Sequence, residues 1–227
     1  MNISFPPTSP SYAQIRAYRV RATRIYQKLE ALYPQAKIAL DFDNHFQLLV
    51  AVMLSAQATD ISVNKVTQNL FKRLKTPQDI LNFTDRDLED SIKTIGLWKA
   101  KSRNLKLMSQ ALIDNFDSQV PSTLEHLTSL AGVGRKTASV VLNIAFCVPV
   151  IAVDTHVMRL SQRLALAAQS TQVDKVADYL NAYTPKKFLD TAHHLLIAHG
   201  RALCLARAPK CSQCPLQSSC LFYNVDT

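Results

Sequence analysis

Four glycines, Gly96, Gly132, Gly134 and Gly200, are all that this chain of 227 residues contains, where ordinary usage of about 7% would supply roughly sixteen. Hairpin-rich folds need glycine at their tight turns, and no Asn-Gly or Asp-Gly pair occurs here. Apolar residues recur instead at three-to-four spacing, so the chain is expected to be all-α.

From Tyr12 to Tyr33 the apolar positions Ile15, Tyr18, Ala22, Ile25, Leu29 and Leu32 mark one helical face. Arg16, Arg19 and Arg24 interleave with them, and no acidic residue precedes Glu30. An organelle transit peptide has that composition. The continuous apolar face favours a basic helix docked on the body. The Pro- and Ser-rich stretch 1–11 before it reads as a flexible extension. Phe46–Leu54 is apolar all round and is expected at the centre of the fold. Thr76-Pro77 and Thr84 suit helix starts. Gly96 suits the left-handed position where a helix stops. Ser122 with Glu125 suits a capping box ahead of Leu127 and Leu130. Further helices are expected over Arg135–Phe146, Thr155–Leu166, Val173–Tyr183 and Lys187–Leu203.

The longest apolar run, Ala138–Val150, is broken by Asn143 and is shorter than a bilayer span. No secretory signal is visible, and no membrane role is expected. The formal charge of +9 creates a field that attracts polyanions, and nucleic acid is the favoured partner over an acidic lipid surface.

Two glycines flanking one apolar residue make a tight turn at Gly132-Val133-Gly134, with Arg135 and Lys136 opening the next helix. Free amides at that helix start form a phosphate site, and glycine admits a close backbone approach. A plain helix–helix corner would look the same. Asp154 precedes the apolar-periodic positions Val157, Leu160 and Leu164, which suits an N-cap. The spacing Cys204-x6-Cys211-x2-Cys214-x5-Cys220 gathers four thiols in one short segment. It suits an iron–sulfur cluster or a structural zinc in a reducing compartment better than disulfides. Cys147, at the end of an apolar helix, is expected in the core.

The segment from Leu130 to Ala138 closely resembles the helix–hairpin–helix of the endonuclease III family of DNA glycosylases. Leu54-Ser55-Ala56-Gln57-Ala58-Thr59-Asp60, Thr94-Ile95-Gly96-Leu97, Ala152-Val153-Asp154-Thr155-His156 and His199-Gly200-Arg201 resemble that family's motifs in the family's order. The likeness runs from about residue 22 to 222. Ala131 departs from it, since the family usually has proline there.

The resemblance implies two helical domains with the active site in a cleft between them. One, 38–148, would be a central helical barrel carrying the hairpin. The other, 12–37 plus 149–227, would be a discontinuous iron–sulfur domain with the cluster loop at 204–220. It implies Lys136 as nucleophile and Asp154 as its carboxylate partner. The positive end of a helix, positive neighbours and loss of water would all favour the neutral amine of Lys136. It implies that Gln57 and Leu97 fill the gap left by an extruded nucleotide, although by pattern alone Leu97 reads as core and Gln57 as surface. Gly132, Val133, Gly134, Arg135 and His156 would contact DNA. Cys204, Cys211, Cys214 and Cys220 would hold a [4Fe–4S] cluster.

The implied enzyme is a bifunctional glycosylase/AP lyase of base excision repair. It would remove oxidised pyrimidines from duplex DNA and nick 3′ to the abasic site by β-elimination through a lysine Schiff base. It would act as a monomer on damaged or abasic duplex, in the cytoplasm near the nucleoid if bacterial. A non-catalytic DNA-binding module is disfavoured by the presence of both Lys136 and Asp154. A glycosylase lacking lyase activity would have no lysine at position 136.

Overall fold

The computed structural model describes residues 3–225. Met1 and Asn2 of the expected extension, and Asp226 and Thr227 of the expected iron–sulfur domain, lie outside the described residues. In chain order the helices are α1 (Tyr12–Leu32), α2 (His45–Leu54), α3 (Asp60–Leu70), α4 (Pro77–Leu81), α5 (Asp85–Ile92) and α6 (Trp98–Phe116). There follow α7 (Leu124–Thr128), α8 (Arg135–Phe146), α9 (Thr155–Arg163), α10 (Val173–Tyr183), α11 (Ala192–Ala202) and α12 (Leu221–Val225). No strand occurs among the described residues, so the fold is all-α, as the scarcity of glycine implies. The chain divides into two compact units, with breaks between Ile38 and Ala39 and between Val148 and Pro149.

The 39–148 unit is built around α2, in which every residue from Phe46 to Leu54 is buried. It packs against α8, α3 and α6. Asn44 starts it by accepting from the amide of Gln47 at 2.9 Å. The buried Gln47 side chain is satisfied by the carbonyl of Leu74 at 2.8 Å and the amide of Asp43 at 2.7 Å. Thr76 and Pro77 open α4, with Asp79 reaching back to the Thr76 amide at 2.8 Å. Thr84 caps α5. The start of α7 falls one residue later than the sequence suggested: Thr123, not Ser122, is the N-cap, accepting from the amide of His126.

In the other unit, α1 begins at a capping box formed by Ser11 and Gln14, which explains why the helix opens so close to a proline-rich stretch. It buries Tyr18, Ala22, Ile25, Tyr26 and Leu29 among apolar side chains of α9, α10 and α11. Each fully buried large apolar side chain contributes about 1.5–3 kcal/mol, so this is a docked helix. Tyr18 donates to the carbonyl of Leu166 at 2.8 Å and Arg21 to that of Leu164 at 2.7 Å. Those bonds hold the turn that follows α9. There Ala165 takes φ 47 and ends the helix at Arg163, short of the expected Leu166. Likewise α11 starts at Ala192 rather than Lys187, because Lys186–Phe188 forms a separate 3-10 turn.

Candidate active site

In the 39–148 unit the short helix α7 leads through Gly132-Val133-Gly134 into α8. Val133 is buried, and its amide is bonded to the carbonyl of Leu130 at 3.1 Å. Gly132 has φ 77. A Cβ there would stand 2.9 Å from Asn104 Nδ2 and 3.0 Å from Met53 Sδ, so glycine is required twice over. Gly134 differs: a Cβ would meet nothing within 4 Å. It is the N-cap of α8 and offers no side-chain bond to the first turn. Open space therefore lies beside the α8 amides, which carry the positive end of that helix's dipole. Lys136 stands in this first turn and is exposed. The sequence reading had it partly stripped of water, and the structure does not bury it.

Gln57 and Leu97 lie in the same unit, and both are exposed. Each has a left-handed backbone, with φ 55 at Gln57 and φ 62 at Leu97, which costs about 1–2 kcal/mol for a residue with a Cβ. Leu97 is 58% exposed, which corrects its reading by pattern as a core residue. The left-handed position assigned to Gly96 falls one residue on, at Leu97. Strain under two exposed side chains points to use at the surface. Cys147, expected in the core, is exposed as well, because its φ of 53 turns it outward at the end of α8.

Asp154 and His156 belong to the other unit. Asp154 is the N-cap of α9, and its Oδ1 accepts from the amides of His156 at 2.9 Å and Val157 at 2.8 Å. Two amides on one oxygen fix the carboxylate and leave Oδ2 outside the cap. Burial draws the His156 imidazole below its ordinary pKa, with Arg159 and Arg201 adding to it against the pull of Asp154. Gly200 of α11 packs against this helix so closely that a Cβ would stand 2.9 Å from His156 Nδ1.

The sequence reading missed two arginines on α9. Arg159 donates to the carbonyls of Gly200 and Cys204, both at 3.0 Å. Arg163 donates to Cys204 Sγ at 3.3 Å and to the carbonyl of Leu205 at 2.7 Å. Their four-residue spacing was the available signal, but a solvated basic stripe has the same spacing.

Cys204, Cys211, Cys214 and Cys220 are free thiols that line one cavity with Arg163 and His199. They ring it: among the described residues no three His, Cys, Asp or Glu side chains lie close enough to hold a single metal ion. No acidic side chain lines the cavity, and Arg163 and Lys210 do. Tyr33 at the end of α1 pairs with His199 Nδ1 at 3.0 Å, and His199 Nε2 lies 3.4 Å from Cys214 Sγ. Four thiols framing a space, with cationic and N–H donors facing the sulfurs, suit an anionic polynuclear cluster in which each iron takes one thiolate.

Residues 50–186 match the HhH-GPD superfamily of base excision DNA repair proteins. Residues 204–220 match the iron–sulfur binding domain of endonuclease III. Endonuclease III of Rickettsia felis is 45% identical over 201 residues, covering 88% of this chain and 94% of the relative. That of Bacillus subtilis is 44% identical over 193 residues, covering 85% and 88% respectively. A solved structure of a trapped endonuclease III–DNA covalent intermediate, an estranged-adenine complex, aligns with a TM-score of 0.85 at 40% identity. That alignment covers 90% of this chain and 98% of the other.

Proposed function

This chain belongs to the endonuclease III family, base excision DNA glycosylases with AP lyase activity, and on that premise we propose that Lys136 and Asp154 are its catalytic pair and oxidised pyrimidines in duplex DNA its substrates. The observation that carries this is Lys136 itself, exposed in the first turn of a helix whose amides stand open beside Gly134. A relative 40% identical to this chain is known as a trapped DNA-covalent intermediate, which supports an amine that bonds to the sugar.

The damaged nucleotide leaves the stack at a cost of a few kcal/mol, lower where its pairing is already weakened. Gln57 and Leu97 fill the vacated space, the amide bonding to the orphaned base and the leucine acting as a wedge. The α8 amides, with Arg135 beside them, and His156 hold the flanking phosphates; Val133, buried and with its amide bonded to Leu130, supports the turn rather than touching DNA. The unprotonated Nζ of Lys136 forms a bond to C1′ while the glycosidic C1′–N bond breaks and its electron pair leaves with the base, which takes up a proton. Asp154, its carboxylate fixed by two amides, stabilises the positive charge developing on the sugar. Opening of the sugar ring leaves a Schiff base between Lys136 and C1′. Loss of a proton from C2′ then expels the 3′ oxygen with its phosphate, and water releases the lysine.

The [4Fe–4S] cluster of this family would be held by Cys204, Cys211, Cys214 and Cys220, as the match of residues 204–220 supports. When bound it supplies four iron–thiolate bonds that fix the 204–220 loop to the end of α11. No helix among the described residues is long and apolar enough to cross a membrane. We place the enzyme as a monomer on DNA in a reducing compartment, the nucleoid region of the cytoplasm in a bacterium. Excision assays on duplexes with one thymine glycol, one dihydrouracil or one mismatched adenine test the reading. Release of the first two and not the third supports it, and the reverse order refutes the assigned substrate.

A further inference from the structure

We propose that Lys101 is a positioning residue that holds the turns bearing Gln57 and Leu97, so that the two side chains enter the duplex as one unit. This rests on the wedge role given to that pair above and names the group that sets it.

The end of α2 shows where the lysine is needed. A helix leaves its last carbonyls without amides of its own. The carbonyl of Ala51 receives the Ser55 amide at 2.9 Å, that of Met53 the Ala56 amide at 3.4 Å and that of Ser55 the Ala58 amide at 3.1 Å. The carbonyl of Val52 receives the Ser55 hydroxyl at 2.8 Å. Those of Leu54 and Ala56 are met by Lys101 Nζ, at 2.8 and 2.7 Å. Lys101 is only 5% exposed, and a lysine is rarely taken out of water without specific partners. Two short charge-assisted bonds hold it there.

Its two acceptors lie just before Gln57, at the end of α2 and in the turn where Gln57 takes its left-handed backbone. The main-chain amide of the same lysine donates to the carbonyl of Leu97 at 3.0 Å, closing the first turn of α6 directly after the other left-handed residue. One residue thus grips both turns, by its side chain and by its backbone. The turns are adjacent: a Cβ on Gly96 would stand 3.8 Å from the carbonyl of Gln57. A left-handed glutamine and a left-handed leucine persist only where surrounding bonds impose them. The core gains nothing from either side chain, since both face outward.

The test uses the full-length enzyme with its cluster and a duplex carrying a tetrahydrofuran abasic analogue opposite 2-aminopurine, which brightens when unstacked. The wild type raises the fluorescence. Leu97→Ala and Gln57→Ala are expected to remove most of the rise, and if both keep it the wedge reading itself fails. Lys101→Met is expected to lose at least about half of the rise and to slow single-turnover excision at least about tenfold and up to about a hundredfold, the scale of a misplaced group. DNA affinity should change less than about threefold, because phosphate contacts dominate it. In a Leu97→Ala background Lys101→Met should slow excision by no more than about twofold further, since both act on one device. If Leu97→Ala abolishes the rise while folded Lys101→Met keeps both rise and rate, the assignment of Lys101 is overturned. Should Lys101→Met not fold, hydrogen exchange on the wild type decides. The amides of Ala58 and Lys101 should exchange at least about a hundredfold below the free-peptide rate, and exchange of either at that free rate refutes the grip.

Discussion

Arg163 donates from Nη1 to the sulfur of Cys204 at 3.3 Å, and its guanidinium lies 4.4 Å over the ring of Phe222. It is the last residue of the helix whose N-cap is Asp154. One end of α9 therefore fixes a carboxylate and the other braces the first cysteine of the cluster loop, with Arg159 tied to the carbonyl of Cys204 between them. The cluster and the proposed chemistry share a helix.

Arg163→Met removes the donor to Cys204 and the bonds to the carbonyls of Leu205 and Ala206. Loss of the cluster to a chelator, followed as decay of its visible absorption, is expected to quicken about ten- to a hundredfold, the range for partners of metal ligands. Arg163→Lys should recover only part of this, because an ammonium cannot reproduce a planar fork.

Gly132 and Gly134 should respond differently to alanine. Gly132→Ala meets a positive φ and a 2.9 Å approach to Asn104. It is expected to lower unfolding stability by about 1–3 kcal/mol. Gly134→Ala meets open space, so stability should stay within about 0.5 kcal/mol, while affinity for abasic duplex falls. Denaturant midpoints beside fluorescence anisotropy separate the two effects.

Asp154 both caps α9 and carries charge, and Asn separates the roles. Asparagine caps as well as aspartate, so Asp154→Asn should fold within about 0.5 kcal/mol of wild type yet excise bases on the order of a hundredfold more slowly. Asp154→Ala should lose the cap too, at about 1 kcal/mol. Single-turnover excision and denaturant unfolding of both variants check this.

Burial pushes the imidazole of His194 down to about 4 from its ordinary 6.5. Between those values the unfolded chain holds a proton that the folded one does not, so stability falls as pH drops through that window and is flat above it. The sum is roughly 3 kcal/mol at the acid end of the window. His199 is pushed down to about 4 as well, so His194→Gln should lessen the fall over that window without abolishing it, measured as denaturant midpoints from pH 7.5 to 4.5.

Much of the fold was legible because it rests on local signals. Scarce glycine excluded hairpins, and Gly134 and Val173 lie where α8 and α10 open, so the bounds of those helices follow from the sequence. Errors arose where a tertiary bond overrides a local preference. Leucine resists a positive φ, so the left-handed position was assigned to Gly96, while the structure places it on Leu97. Its place at the end of an apolar helix put Cys147 in the core, yet α8 stops one residue before it. Lys101 has nothing in its sequence surroundings to set it apart from Lys99. Only the fold shows that one is buried on two carbonyls and the other exposed. The exposure of Lys136 was also invisible, since apolar neighbours on a helix do not reveal which face is covered.

Borohydride trapping on a duplex with one abasic site, followed by peptide mapping of the adduct, tests most directly whether Lys136 bonds to the sugar. A single DNA-linked peptide containing Lys136 is expected from the wild type, and no adduct from Lys136→Ala. An adduct mapped to another lysine, or persistent trapping by folded Lys136→Ala, would contradict the assignment.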